Sequence, residues 1–254
     1  MRLIPLIILL NMSLSSAEDQ AEKALEAARK FYVEGKYEQA LERHVWFHEN
    51  ALRIDESYHG VRLSFALADW TELGEKYPAA IERLREIRDK DTLSLLAGQN
   101  NWDAFCDVQA INEELGEVDS TVSLFKSLDR ERPIFATEVY DVVVGDLLAT
   151  NEFSLARKYL SEPMSEYELA KKGLERGLAM SHGNNDQYQQ SFQRIFSRRV
   201  VQIIDILDST GDAVTARSIQ KLALQEISCP LIKDALEHQK TEQVVPPKSD
   251  RAGG

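Results

Sequence analysis

Five times along this chain a turn-forming residue is followed at short range by a helix starter and then by a small residue. The segments are GKYEQAL at 35–41, GEKYPAAI at 74–81, GEVDSTV at 116–122, NEFSLA at 151–156 and GDAVTA at 211–216. Their starters are Tyr37, Tyr77, Val118, Phe153 and Ala213, and three residues beyond each stands Ala40, Ala80, Thr121, Ala156 or Ala216. Glycine enters a left-handed turn without a Cβ clash. A small residue early in the following helix lets a neighbour cross closely, where a large side chain would push the two apart. The recurrence predicts a series of helix hairpins. A loop-rich β architecture would need more turn formers than 12 Gly and 7 Pro in 254 residues.

The first hairpin is the clearest. Ala21, Ala24, Leu25, Ala28, Phe31 and Tyr32 follow the spacing of one helix face, Gly35 breaks the run, and Tyr37, Ala40, Leu41, His44 and Ala51 restart it. A second hairpin is predicted over 57–90. Its first helix, 57–73, is apolar nearly all round, as expected for a helix covered on both sides. Residues 91–103 read as an elbow with Gly98, Asn100 and Asn101 as breakers. Further hairpins are expected at 103–130 and 135–161, then a helix at 165–180 after Pro163, a loop at 181–186, and a closing pair at 187–209 and 213–227. The apolar stripe of that pair is Phe192, Ile195, Phe196, Val200, Ile203, Ile204 and Leu207. From about 239 the chain has no period and reads as a disordered tail.

The Gly-x-Tyr-x-x-Ala of residues 35–40 resembles the start of the second helix of the tetratricopeptide repeat. The resemblance extends over most of 20–230, and Pro133 stands at the repeat's closing proline position. The starters lie 40, 41, 35 and 60 residues apart, whereas the family repeats every ~34. The family's Trp and Leu-Gly pair are missing from the first repeat, so the repeats are degenerate. The resemblance implies an all-α fold: stacked antiparallel helix hairpins forming a short right-handed α-solenoid, with the first helix of each repeat lining a concave groove. Matched through Tyr77 and Ala80, the lining positions are Arg62, Phe65, Asp69 and Glu72. The same carry-over gives Arg29 and Tyr32 in the first repeat, Asp103, Cys106 and Glu113 in the third, and Glu138 and Asp141 in the fourth.

Residues 1–17 look like a secretory signal, with Arg2 as the positive region, Leu3 to Leu10 as the apolar core, and Ser15 and Ala17 before a cleavage site at Glu18. That apolar run is far shorter than the ~20 residues that span a bilayer. Three segments are therefore expected: a signal at 1–17, a helical repeat domain at 18–238 and a tail at 239–254. The compartment is periplasmic or extracellular. A formal net charge of −12 argues against a nucleic-acid partner. Cys106 and Cys229 lie 123 residues apart and read as buried small apolar residues, because a bridge needs Cα atoms within ~7 Å.

Candidates for chemistry are few. HVWFH sets His44 and His48 four apart on one helix face, which is metal-ligand spacing. Val45 stands where the zinc-protease motif needs its Glu, so the pair reads as core histidines rather than a metal site. In helix 57–73, Arg62, Phe65, Asp69 and Glu72 share one face. Either this face meets a ligand, or Arg62 pairs with Asp69 or Glu49 at a repeat interface, since buried charge must be paired. Both readings stand at this point. Tyr58, His59 and Trp102 flank the region in loops, where binding residues concentrate. There is no Gly-rich phosphate loop, no G-x-S-x-G elbow and no nucleophile–base–acid set. The expected function is an exported interaction module, not an enzyme and without cofactor, holding a peptide or protein partner through Arg29, Tyr32, His48, Tyr58, His59, Arg62, Phe65, Asp69, Glu72 and Trp102. Two other classes remain: a metal-dependent enzyme using His44, His48 and His59, and a structural subunit that assembles with copies of itself.

Overall fold

The computed structural model describes residues 6–180 and 186–235, and in these the chain is all-α, with no strand. The recurring turns are closed by one repeated pair of backbone hydrogen bonds. At Gly35 (φ +71°) the Gly35 N–H donates to the Tyr32 carbonyl at 3.0 Å and the Lys36 N–H to the Phe31 carbonyl at 2.8 Å. The same pair recurs at Gly116 (φ +69°), Asn151 (φ +60°) and Gly211 (φ +93°), with the longer-range bond between 2.7 and 2.8 Å each time. This is the Schellman arrangement, which satisfies the last carbonyls of one helix while redirecting the chain. The helices that follow begin at the expected starters: α2 (Tyr37–Ile54), α7 (Val118–Glu131), α9 (Phe153–Tyr159) and α12 (Ala213–Glu226). All five small residues, Ala40, Ala80, Thr121, Ala156 and Ala216, are 0% exposed.

The second hairpin departs from the pattern. Gly74 lies inside α4 (Phe65–Lys76), buried against Ile81, and the turn falls instead at Tyr77 and Pro78 before α5 (Ala79–Leu96). Pro78 has no N–H to continue a helix and holds Tyr77 out of the helical region, which overrides the glycine. The predicted single helix over 57–73 is also two: α3 (Tyr58–Arg62) and α4, parted at Leu63 and Ser64. Gly60 gives this stretch no side-chain support. The Ser64 hydroxyl takes the Gly60 carbonyl at 2.6 Å, offering the backbone an alternative to the helical ladder. The expected elbow at 91–103 is shorter than predicted, because α5 runs to Leu96 before Gly98 (φ +103°) turns the chain into α6 (Trp102–Glu114). Asn101 caps α6 by accepting from the Ala104 N–H at 3.1 Å.

The helices divide into two units, 1–143 and 144–254, with the division inside α8 (Pro133–Ala149). In the first unit α1 (Leu6–Val33) packs along α2, and α4 touches α1, α2, α5 and α6. First helices thus neighbour first helices, and α5 neighbours α7. The core centres on Trp70, Leu67, Leu73, Leu84 and Ile111 with Ala40 and Ala80, and a second cluster joins Ala21, Ala24 and Leu25 to Phe47, Ala51 and Ala66. Burying each large side chain stabilises by about 1.5–3 kcal/mol. Polar links tie successive pairs. Arg88 on α5 donates to Asn112 on α6 at 3.0 Å, and Asn112 donates to the Thr121 hydroxyl on α7 at 3.0 Å.

In the second unit α11 (Asp186–Ser209) is the hub, touching α9, α10 (Pro163–Met180), α12 and α13 (Pro230–Asp234). Phe196, Val200, Ile203, Ile204 and Leu207 are buried as expected, but Ile195 is 65% exposed: its neighbours Phe196 and Arg199 already take the α10 side, against Tyr167 and Glu166 respectively. The short α13 was not foreseen, and Gln220 holds it through the Ile232 and Lys233 carbonyls. Both cysteines are free thiols. Cys106 is buried as predicted; Cys229 is only half-buried, and although burial disfavours its thiolate, the Ser197 hydroxyl and the Ile232 and Leu231 N–H groups together outweigh this and lower the thiol. The predicted tail at 239–254 and residues 181–185 of the predicted loop lie outside the described residues, as do residues 1–5 of the predicted signal.

Candidate functional site

The candidate residues fall into a buried layer and an exposed one. Arg62, at the end of α3, is 4% exposed, and its partner is neither Asp69 nor Glu49. Arg62 Nη2 lies 2.6 Å from Asp107 Oδ1, and Nη1 donates to Oδ2 at 3.0 Å. The same Nη1 reaches His48 Nε2 at 3.1 Å. A guanidinium only donates, so that ring nitrogen accepts and the imidazole is neutral. Three successive helix pairs therefore meet at one charge cluster: His48 from α2, Arg62 from α3 and Asp107 from α6.

Asp107 was not among the sequence candidates. The signal was there: Ala104, Val108 and Ile111 set a buried stripe on α6, and Asp107 is inside it.

Burial dominates the electrostatics of this layer. It lowers His48 to about 3, with Arg62 adding to the effect, and lowers His44 to about 4. Burial also pushes Asp107 up to about 6, with Arg62 pulling the other way. His44 stacks on Trp70 at 5.7 Å, and His48 meets the same ring edge-on at 6.0 Å. The space enclosed by His44, Phe47, His48, Arg62, Ala66, Leu67 and Trp70 has no room for a water molecule. The cluster is closely packed and its charges are paired, although Arg62 Nε, Asp107 Oδ1 and His44 Nδ1 have no hydrogen-bond partner. The Arg62 guanidinium lies against both ring nitrogens of His48, and a fixed cation there repels a second one.

The exposed layer is built on α4. Phe65 opens this helix and is 70% exposed, because the break at Leu63 and Ser64 rotates it away from Arg62. The predicted common face of Arg62, Phe65, Asp69 and Glu72 is thus corrected: Arg62 points into the core, and the other three remain on the outer side of α4. Arg29 on α1 bonds Asp69 at 2.7 Å, and Tyr32 donates its hydroxyl to Glu72, whose carboxylate holds the phenol above its ordinary range. On the other flank, Thr71 reaches Glu114 of α6 at 3.4 Å, and Gln109 donates to Glu113 at 3.1 Å.

The remaining candidates separate. His59 stacks on Trp102 at 5.0 Å, with its Nε2 3.8 Å from Asp103, and Trp102 is 43% exposed. Tyr58 is half-buried, edge-on to Phe47 at 5.7 Å. Cys106 is buried, where burial lifts its thiol to about 12. Glu138 and Asp141 are exposed on α8. Among the described residues no three His, Cys, Asp or Glu side chains stand as a metal-holding group, and no helix is long and apolar enough to cross a membrane. Compared with known protein families, with functionally described proteins and with solved structures, this chain matches none.

Proposed function

We propose that this chain is an exported, non-enzymatic interaction module that seats a peptide or protein segment on the outer face of α1, α4 and α6, with stacked hairpins of tetratricopeptide type as its scaffold. One observation carries the reading. Phe65, a large aromatic side chain, is 70% exposed at the start of a helix whose neighbours on both flanks are also first helices of their pairs. An exposed aromatic beside polar groups that already have partners is a surface with apolar area left to bury. Arg29, Tyr32, Asp69 and Glu72 complete this face, while His48 and Arg62 lie beneath it as its support. The repeat register supports the reading too, since it assigned the same α1 and α4 positions to the groove.

Export rests on the Arg2, Leu3–Leu10, Ala17 arrangement. Mass spectrometry of the exported species should find an N-terminus at Glu18; a cytosolic protein retaining Met1 would contradict export. Binding is tested with Phe65→Ser in the full chain. The variant should melt like the wild type, because the side chain is mostly in water, and should lose capture of its partner from the exported fraction. Undiminished capture would remove Phe65, and the face with it, from the account.

A further inference from the structure

Arg62 is not free to meet a ligand on this face, because it is buried against Asp107. Arg29, within the face, is held by Asp69. What α4 and α6 present outward is mostly carboxylate: Glu72, Glu75, Glu113 and Glu114 are all exposed, against one exposed cation at the end of α4, Lys76.

An acidic surface on a chain of net charge −12 would by itself mean little. The contrast with α5 gives it meaning. There the carboxylates have arginines: Arg83 pairs with Glu49 and Glu86, Arg85 with Glu82 and Glu117, and Arg88 with Asp89 and Glu117. On the α4–α6 face the donors are neutral: the Tyr32 hydroxyl for Glu72, the Gln109 amide for Glu113 and the Thr71 hydroxyl for Glu114. Among the described residues none of Glu72, Glu75, Glu113 and Glu114 makes an ion pair. Negative charge therefore outweighs positive on the helices beside the exposed Phe65, whereas it is paired along α5.

We propose that the segment seated here is cationic and carries one large apolar side chain: a Lys- or Arg-rich peptide whose anchor lies against Phe65 while its positive groups meet Glu72, Glu75, Glu113 and Glu114. This rests on the reading of the α1–α4–α6 face as the binding face. The two parts of the recognition have different physical roles. Apolar contact with Phe65 supplies most of the affinity, since solvent-exposed ion pairs contribute little each. The carboxylates select the sign of the partner and speed its approach.

The test uses the full chain and three short fluorescein-labelled peptides, read by fluorescence anisotropy at physiological ionic strength. One alternates Lys with Phe and Leu, one replaces every Lys by Glu, and one keeps Lys but replaces the apolar residues by Ser. The first should bind and the other two should not. Phe65→Ser should weaken it by about tenfold or more, and the double variant Glu72→Gln/Glu113→Gln by several-fold. Glu82→Gln/Glu86→Gln, which removes the same charge from α5, should leave it unchanged. If the Glu peptide binds, and Phe65→Ser abolishes that binding, the face is a peptide site but the proposed sign is wrong. If the α5 control weakens binding as much as the α4–α6 double variant, the attraction belongs to the whole acidic surface and the proposal falls. If no peptide binds, or Phe65→Ser alters none of them, the proposal and the binding face fall together.

Discussion

Arg62 and Asp107 stand 45 residues apart in sequence and form a two-point ion pair in the core of the first unit, closed at 2.6 and 3.0 Å. Arg62 ends α3 just before the break that turns Phe65 outward, and Asp107 lies in the middle of α6. The pair therefore fixes the break in the second helix pair to the body of the third. A planar guanidinium matched to a carboxylate defines orientation as well as distance, which an apolar contact at the same place would not.

Removing one partner should reveal this. Arg62→Met leaves the Asp107 carboxylate buried without a cation and should cost ~3–5 kcal/mol in urea unfolding. Arg62→Met/Asp107→Leu removes both charges and should recover most of that loss, because replacing a buried pair by apolar residues is often neutral. A double variant as unstable as the single one would mean that the pair is not a closed unit.

The buried histidines give the unfolding a definite pH dependence. His44 and His48 are held neutral down to about 4 and about 3, whereas the unfolded chain protonates them near 6.5. Their contribution is fully present above pH 6.5 and is lost as pH falls. Asp107, raised to about 6, acts in the opposite sense: its contribution is present below its ordinary value and lost as pH rises through about 6. Between pH 6 and 4 the unfolded state thus holds about two more histidine protons than the folded state, against one more on folded Asp107. Stability should fall with acid by ~1.4 kcal/mol per pH unit. His44→Phe keeps the stack on Trp70 and removes one of those protons, so its stability should be nearly flat over the same window. Urea unfolding of both proteins at several pH values decides it; equal slopes would contradict the buried neutral state of His44.

Two glycines one turn apart on α10 should respond oppositely to the same change. A Cβ at Gly177 would run into the Phe192 ring, which is fixed between helices, whereas at Gly173 it meets nothing within 4 Å. Gly177→Ala should destabilise by ~1–3 kcal/mol by overpacking. Gly173→Ala should stabilise by up to ~1 kcal/mol through helix propensity alone. Thermal melting of the two variants checks the α10–α11 packing, and shifts of the same sign would contradict it.

The turns were legible because their chemistry is local. Gly35, Gly116, Asn151 and Gly211 announce a left-handed residue, and the helix start follows from it at fixed distance. Gly74 misled because Pro78 imposes a stronger constraint a few residues on. The break at Leu63 and Ser64 was hidden for the opposite reason. Its neighbours fit a helical period, and neither the Ser64 hydroxyl bond to the Gly60 carbonyl nor the long-range pairing of Arg62 with Asp107 shows in that period. Arg29, Tyr32, Asp69 and Glu72 lie on the outer side of α1 and α4, where the helical period puts them. Arg62 and His48 moved beneath the surface because periodicity gives the face of a helix, not the partner waiting on it.

The account turns on whether a partner touches Phe65. A photo-crosslinking amino acid placed at position 65 of the full chain, and in parallel at the equally exposed Glu86 on α5, should answer this in the exported fraction. Irradiation should produce a discrete adduct from position 65 and none from position 86, and an excess of the Lys-, Phe- and Leu-containing peptide should compete the adduct away. No adduct at position 65, or the same adducts from both positions, would contradict the assignment of the α1–α4–α6 face as the binding site.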